Sequence, residues 1–81
     1  MTIQVLLFAS YREMAGTSRL EVEVPEGSTV AAVVASLRER GGGLAALPTD
    51  PPVAVNRTWV PSDTALVDGD EVALLPPVAG G

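Results

Sequence analysis

Gly80 and Gly81, set behind Pro76-Pro77-Val78-Ala79, are the residues of this sequence whose type and spacing best suit chemistry. A C-terminal glycine carries a free α-carboxylate, which is a weak nucleophile and, as an anion, a poor electrophile. If ATP converts it to an acyl-adenylate, AMP becomes a good leaving group. A sulfur donor can then attack the carbonyl and leave a C-terminal thiocarboxylate. Neither glycine has a Cβ, so both can lie in a channel too narrow for other residues. The prolines end any preceding strand and stiffen the exit. Fully extended, Val78 to Gly81 reach about 13–14 Å, enough to enter a partner's pocket while the domain stays on its surface.

The composition removes most side-chain alternatives. The 81 residues contain no His, no Cys and no Lys, and the five basic residues are all Arg. That excludes Ser-His and Cys-His pairs, a Schiff-base lysine and the usual zinc sites. The ten acidic residues sit in turns or alternate along strands, where a solvated face is the ordinary role. The chain is therefore expected to bind no metal or cofactor and not to be catalytic alone. A net charge of −5 argues against nucleic acid, whose binding rests on basic residues. It suits solubility or a basic protein partner. No apolar run approaches a membrane span, and Met1-Thr2-Ile3-Gln4 lacks a basic signal region, so a cytoplasmic protein is expected.

Stepping from the tail to what must hold it, Thr2 to Phe8 reads as a strand from its length and Ile, Val, Leu and Phe content. Ser10 to Ala15 reads as a short helical turn stopped by Gly16. Leu20, Val22 and Val24 alternate with Arg19, Glu21 and Glu23, as in a strand with one buried face. After Pro25-Glu26-Gly27, Ser28 is the expected helix cap. Val30, Val33, Val34 and Leu37 form an apolar stripe, and Gly41 ends the helix. Gly41-Gly42-Gly43 is expected to be a cap and connection, and Leu44 to Pro52 a loop. Strands return at Val53-Ala54-Val55 and Trp59-Val60 around a turn at Asn56-Arg57-Thr58. Asp68-Gly69-Asp70 turns into a last strand from Glu71 to Leu75.

This order implies an α+β fold of the β-grasp, or ubiquitin-like, kind: a mixed sheet covered on one face by one main helix. Residues 1–77 would form the domain and 78–81 a flexible tail. The other sheet face would have no helix over it. Alternation sends Leu6, Phe8, Ala73 and Leu75 to that face, and with Trp59 it yields an apolar docking patch of Phe8, Trp59 and Leu75. The alternative is that these side chains close a second small core under a loop.

Val5-Leu6-Leu7-Phe8-Ala9 with Arg12-Glu13, then Val53-Ala54-Val55-Asn56, then Asp68-Gly69-Asp70-Glu71-Val72-Ala73 and Pro76-Pro77-Val78-Ala79-Gly80-Gly81 carry a further signal. Over essentially the whole chain they resemble the small, sulfur-carrying subunits of molybdopterin synthases. The resemblance implies that Gly81 is adenylated by a ubiquitin-activating-like adenylyltransferase using ATP. A sulfur donor protein then helps make it a thiocarboxylate. It also implies a heterotetramer with the synthase large subunit, in which the tail, with Gly80 for clearance and Pro77 and Val78 as contacts, delivers sulfur to cyclic pyranopterin monophosphate to form the dithiolene. Phe8, Trp59 and Leu75 would be the contact surface. A sulfur carrier for thiazole or tRNA thiolation, or a ubiquitin-like protein modifier, would use the same tail on another acceptor.

Overall fold

Alternation along the first strand sets the architecture: Ile3, Val5 and Leu7 are buried, and Thr2, Gln4 and Leu6 are only partly so. The structure, a computed structural model, describes residues 1–76. The expectations placed on Pro77, Val78, Gly80 and Gly81, including the boundary after residue 77 and the flexibility of the tail, lie outside these residues. The elements are β1 (Thr2–Leu7), α1 (Ala9–Ala15), β2 (Arg19–Glu23), α2 (Val30–Glu39), a 3-10 helix (Gly42–Ala46), β3 (Val53–Val55), β4 (Thr58–Val60) and β5 (Glu71–Leu74).

The strands form one sheet in the order β2-β1-β5-β3-β4. β1 and β5 run parallel in it, and the remaining pairs are antiparallel. Ile3, Val5, Leu7, Val22, Val53, Val72 and Leu74 share one core with Val30, Val33, Val34 and Leu37 of α2. The helix is therefore held by its apolar stripe, because a helix this short is marginal in water without packing. This is the expected β-grasp arrangement. Among the described residues no helix is long and apolar enough to cross a membrane.

Several local expectations are corrected. Thr29, not Ser28, caps α2: its side chain accepts from Ala32 N at 3.3 Å, while the Ser28 hydroxyl donates to Pro25 O at 2.6 Å. Both residues are good caps, and the outcome follows from the loop before β5. Thr64 O accepts from Val30 N and Ser62 O from Ala31 N, so the loop supplies the partners for that helix end. A 3-10 helix over Gly42–Ala46 takes in two of the glycines expected as a connection and the first three residues of the segment expected as a loop, and Leu44 is buried in it. The preceding glycines have distinct roles. Gly41 and Gly42 take positive φ values of 78° and 58°. At Gly43 a Cβ would overlap the carbonyl oxygen of Met14, so this glycine permits the 3-10 helix to lie against α1.

Candidate functional site

The face of the sheet away from α2 is built by register. Trp59 pairs with Ala54, Ala54 with Ala73, Ala73 with Leu6, and Leu6 with Arg19. Because neighbours in a sheet row share a face, these residues form one continuous strip on the open side. Beyond the strip, Leu7 pairs with Leu74 on parallel strands, so Phe8 and Leu75 are the next residues along each and step to the open side together. Leu75 N donates to Pro52 O at 3.3 Å, which prolongs the sheet contact by one residue.

Phe8 is 43% and Trp59 63% exposed, and Leu75 is half-buried. Such exposure is not that of a closed second core. Pairing and exposure thus agree with the alternation read for Phe8 and Leu75 and put Trp59, expected at the rim of the hairpin, on the same face; Ala54, only 8% exposed, lies between Trp59 and Ala73 in the row. Its place followed from a strand pairing that sequence reading does not supply. Tyr11, three residues after Phe8, turns the other way and is 3% exposed in the core. Burial raises its hydroxyl pKa above the usual value.

Trp59 owes its position to the hairpin. Asn56 and Arg57 have positive φ values of 49° and 71°, and Val55 pairs directly with Thr58, so the turn is a tight two-residue one of the kind that suits strand twist. Asn56 tolerates this backbone, and its side chain is also engaged. Its amide donates to Asp70 Oδ1 at 2.9 Å and its oxygen accepts from Glu71 N at 3.0 Å. The second carboxylate oxygen of Asp70 accepts from Val67 N at 2.9 Å. Asp68 and Asp70 are thus turn residues, as their spacing suggested. Asp68 holds Thr2 N at 2.7 Å.

Val67 is a large exposed residue that sequence reading missed, at 65%. It lies in the turn that precedes β5, at the opposite end of that strand from Leu75. It therefore does not extend the strip. Among the described residues there is no pocket and no group of three or more His, Cys, Asp or Glu side chains placed to hold a metal.

What the site can do follows from where the chain leaves it. β5 lies between β1 and β3, so Leu75 and Pro76 carry the chain out of the sheet's interior, with Phe8 on the β1 side, Pro52 on the β3 side, and Trp59 two strands over, level with Ala73. A partner laid over this strip would meet the root of the tail.

The model of the ThiS family matches residues 5–81. The molybdopterin synthase sulfur carrier subunit of Escherichia coli is 42% identical over 81 residues, covering 98% of this chain and 99% of that protein. The solution structure of the small archaeal modifier protein 1 from Methanosarcina acetivorans has a TM-score of 0.81 at 30% identity, covering 99% and 96% of the two chains. A complex of subunits 1 and 2 of the molybdopterin-converting factor from Helicobacter pylori holds a chain similar at a TM-score of 0.71 and 26% identity, covering 100% of both.

Proposed function

The chain belongs to the ThiS family, and on that premise we propose that it is the sulfur carrier of a molybdopterin synthase. Residues 1–77 are the docking domain and residues 78–81 the working tail. The carboxylate of Gly81 attacks the α-phosphate of ATP on an activating enzyme, releasing pyrophosphate and forming a glycyl-adenylate. Sulfur at the sulfide level attacks the carbonyl carbon, AMP leaves, and a thiocarboxylate remains. Within the synthase that sulfur attacks a carbon of cyclic pyranopterin monophosphate and displaces the oxygen substituent carried there, and water then cleaves the acyl–sulfur bond to return Gly81 to a carboxylate. Repeating the transfer supplies the second sulfur of the dithiolene.

The observation that carries this reading is the emergence of Leu75 and Pro76 inside an apolar face bounded by Phe8 and Trp59. Docking there places the root of the tail at the partner, and four residues drawn out fully span about 13–14 Å beyond it. Gly80 supplies clearance, and Pro77 and Val78 line the approach. The large subunit is the proposed occupant, supported by the similarity to the Helicobacter pylori complex. Deleting Gly81 tests the division of labour. Binding to the large subunit should persist within about twofold, since the docking contacts are untouched, while sulfur transfer should vanish. Transfer that survives the deletion refutes the reading.

The similarity to an archaeal protein named as a modifier favours one second reading, in which the activated Gly81 acylates lysines of other proteins. Isopeptide-linked Gly81 peptides in digests of cells producing this chain, lost on deletion of Gly81, would support it. A thiazole or tRNA thiolation acceptor would show itself as a different stable partner on capture.

A further inference from the structure

Arg19 stands at the end of the apolar strip, and it is the cation that the sheet strands send to the open face. β2 turns Leu20 and Val22 toward the core, leaving Arg19, Glu21 and Glu23 exposed on the opposite side. Across the pairing, Arg19 faces Leu6, the last apolar residue of the row that begins at Trp59. The other charged side chains that the strands turn to this face, Glu21, Glu23 and Glu71, are acidic. The strip therefore has polarity: a tryptophan at one edge of the sheet and a guanidinium at the other, with acidic residues as the remaining strand charges of this face.

That polarity constrains any partner. Directly opposed residues on antiparallel strands have Cβ atoms about 4.5–5.5 Å apart, so a surface that covers Leu6 must also cover or border Arg19. A guanidinium that loses water without gaining a partner opposes binding, whereas a carboxylate matches its planar fork with paired hydrogen bonds. We propose that Arg19 is a specificity-determining residue of the docking face, pairing with a carboxylate that the synthase large subunit presents beside its apolar contact. The inference rests on the docking reading above. It adds a charge criterion: an acceptor protein that offers a basic or purely apolar surface at this edge is rejected, because discrimination rests as much on mismatched charges as on attraction.

The test is association of the full chain with the purified large subunit, comparing the wild type with Arg19→Glu, Arg19→Lys and Trp59→Ala. Arg19 is exposed, so each variant at that position is expected to melt as the wild type does. Arg19→Glu should slow association and weaken binding by about tenfold at low salt, with most of the difference lost near 1 M salt, where the screening length is about 3 Å. Arg19→Lys keeps the charge but not the planar fork, so it should bind between Arg19→Glu and the wild type. If Trp59→Ala weakens binding and Arg19→Glu does not, the role of Arg19 is overturned while the docking face stands. If neither variant weakens binding, the docking reading itself fails.

Discussion

Asn56 donates its side-chain amide to the carboxylate of Asp70 at 2.9 Å, tying the β3–β4 hairpin to the turn that launches β5. The bond couples two parts of the site: the hairpin that presents Trp59 and the strand from which the tail departs. With Asn56 N donating to Glu71 O at 2.8 Å and Glu71 N to Asn56 Oδ1 at 3.0 Å, the two segments are fastened at three points.

Replacing Asn56 separates its two roles. Asn56→Gly keeps the backbone at its positive φ but loses the side-chain bonds, while Asn56→Ala loses both. We expect losses of about 1 and about 2 kcal/mol respectively in denaturant unfolding, each unit lowering Tm by about 4–8 °C in a domain of this size. Equal losses for both variants would show that the side-chain bonds dominate and the backbone conformation is immaterial.

Gly43→Ala places a methyl group against the carbonyl oxygen of Met14. Backbone cannot yield as a side-chain tip can, so unfolding should become easier by about 1–3 kcal/mol. A melting temperature equal to the wild type's would mean that the 3-10 helix and α1 separate readily.

Tyr11→Phe should leave stability unchanged or raise it by up to about 1 kcal/mol, because the buried hydroxyl has no hydrogen-bond partner among the described residues. Burial raises the folded-state pKa of Tyr11 above 10.0. Below the unfolded pKa both states hold the proton and the group has no effect on stability. As pH rises through that value the unfolded hydroxyl ionises first, and stability is lost until the folded pKa is passed. Melts across this range should show a steeper alkaline loss in the wild type than in Tyr11→Phe; parallel curves would count against a desolvated hydroxyl.

Trp59→Ala and Val67→Ala remove side chains of similar exposure, 63% and 65%, at different places. Only Trp59 belongs to the strip. Its loss should weaken large-subunit binding by about 30-fold or more, in the range of an aromatic hot spot, with little change in Tm. Val67→Ala should bind within about twofold of the wild type. Equal effects would mean that exposure rather than position decides.

The strands and main helix were legible because Ile3, Val5, Leu7, Val22, Val33 and Leu37 follow the periods of the elements that bury them. The cap was not, since Ser28 and Thr29 are chemically equivalent and the choice rests on carbonyls of Ser62 and Thr64, more than thirty residues away. Nor could Gly43 be told from its neighbours, because its reason is a contact with Met14 and not its own φ. For the site, alternation alone placed Phe8 and Leu75 outward. The row that joins Trp59 to Arg19 required the pairings of β5 with β1 and β3, which are long-range. Gly81, outside the described residues, emerged from chemistry by elimination and from family resemblance.

The central claim is that the Gly81 carboxyl carries sulfur, and the intact mass of this chain tests it most directly. After incubation with ATP, its activating enzyme and a sulfur donor, the mass should rise by the difference between sulfur and oxygen, with the change confined to the C-terminal peptide and absent without ATP. A chain that keeps its carboxylate mass while the same enzyme and donor convert another carrier contradicts it.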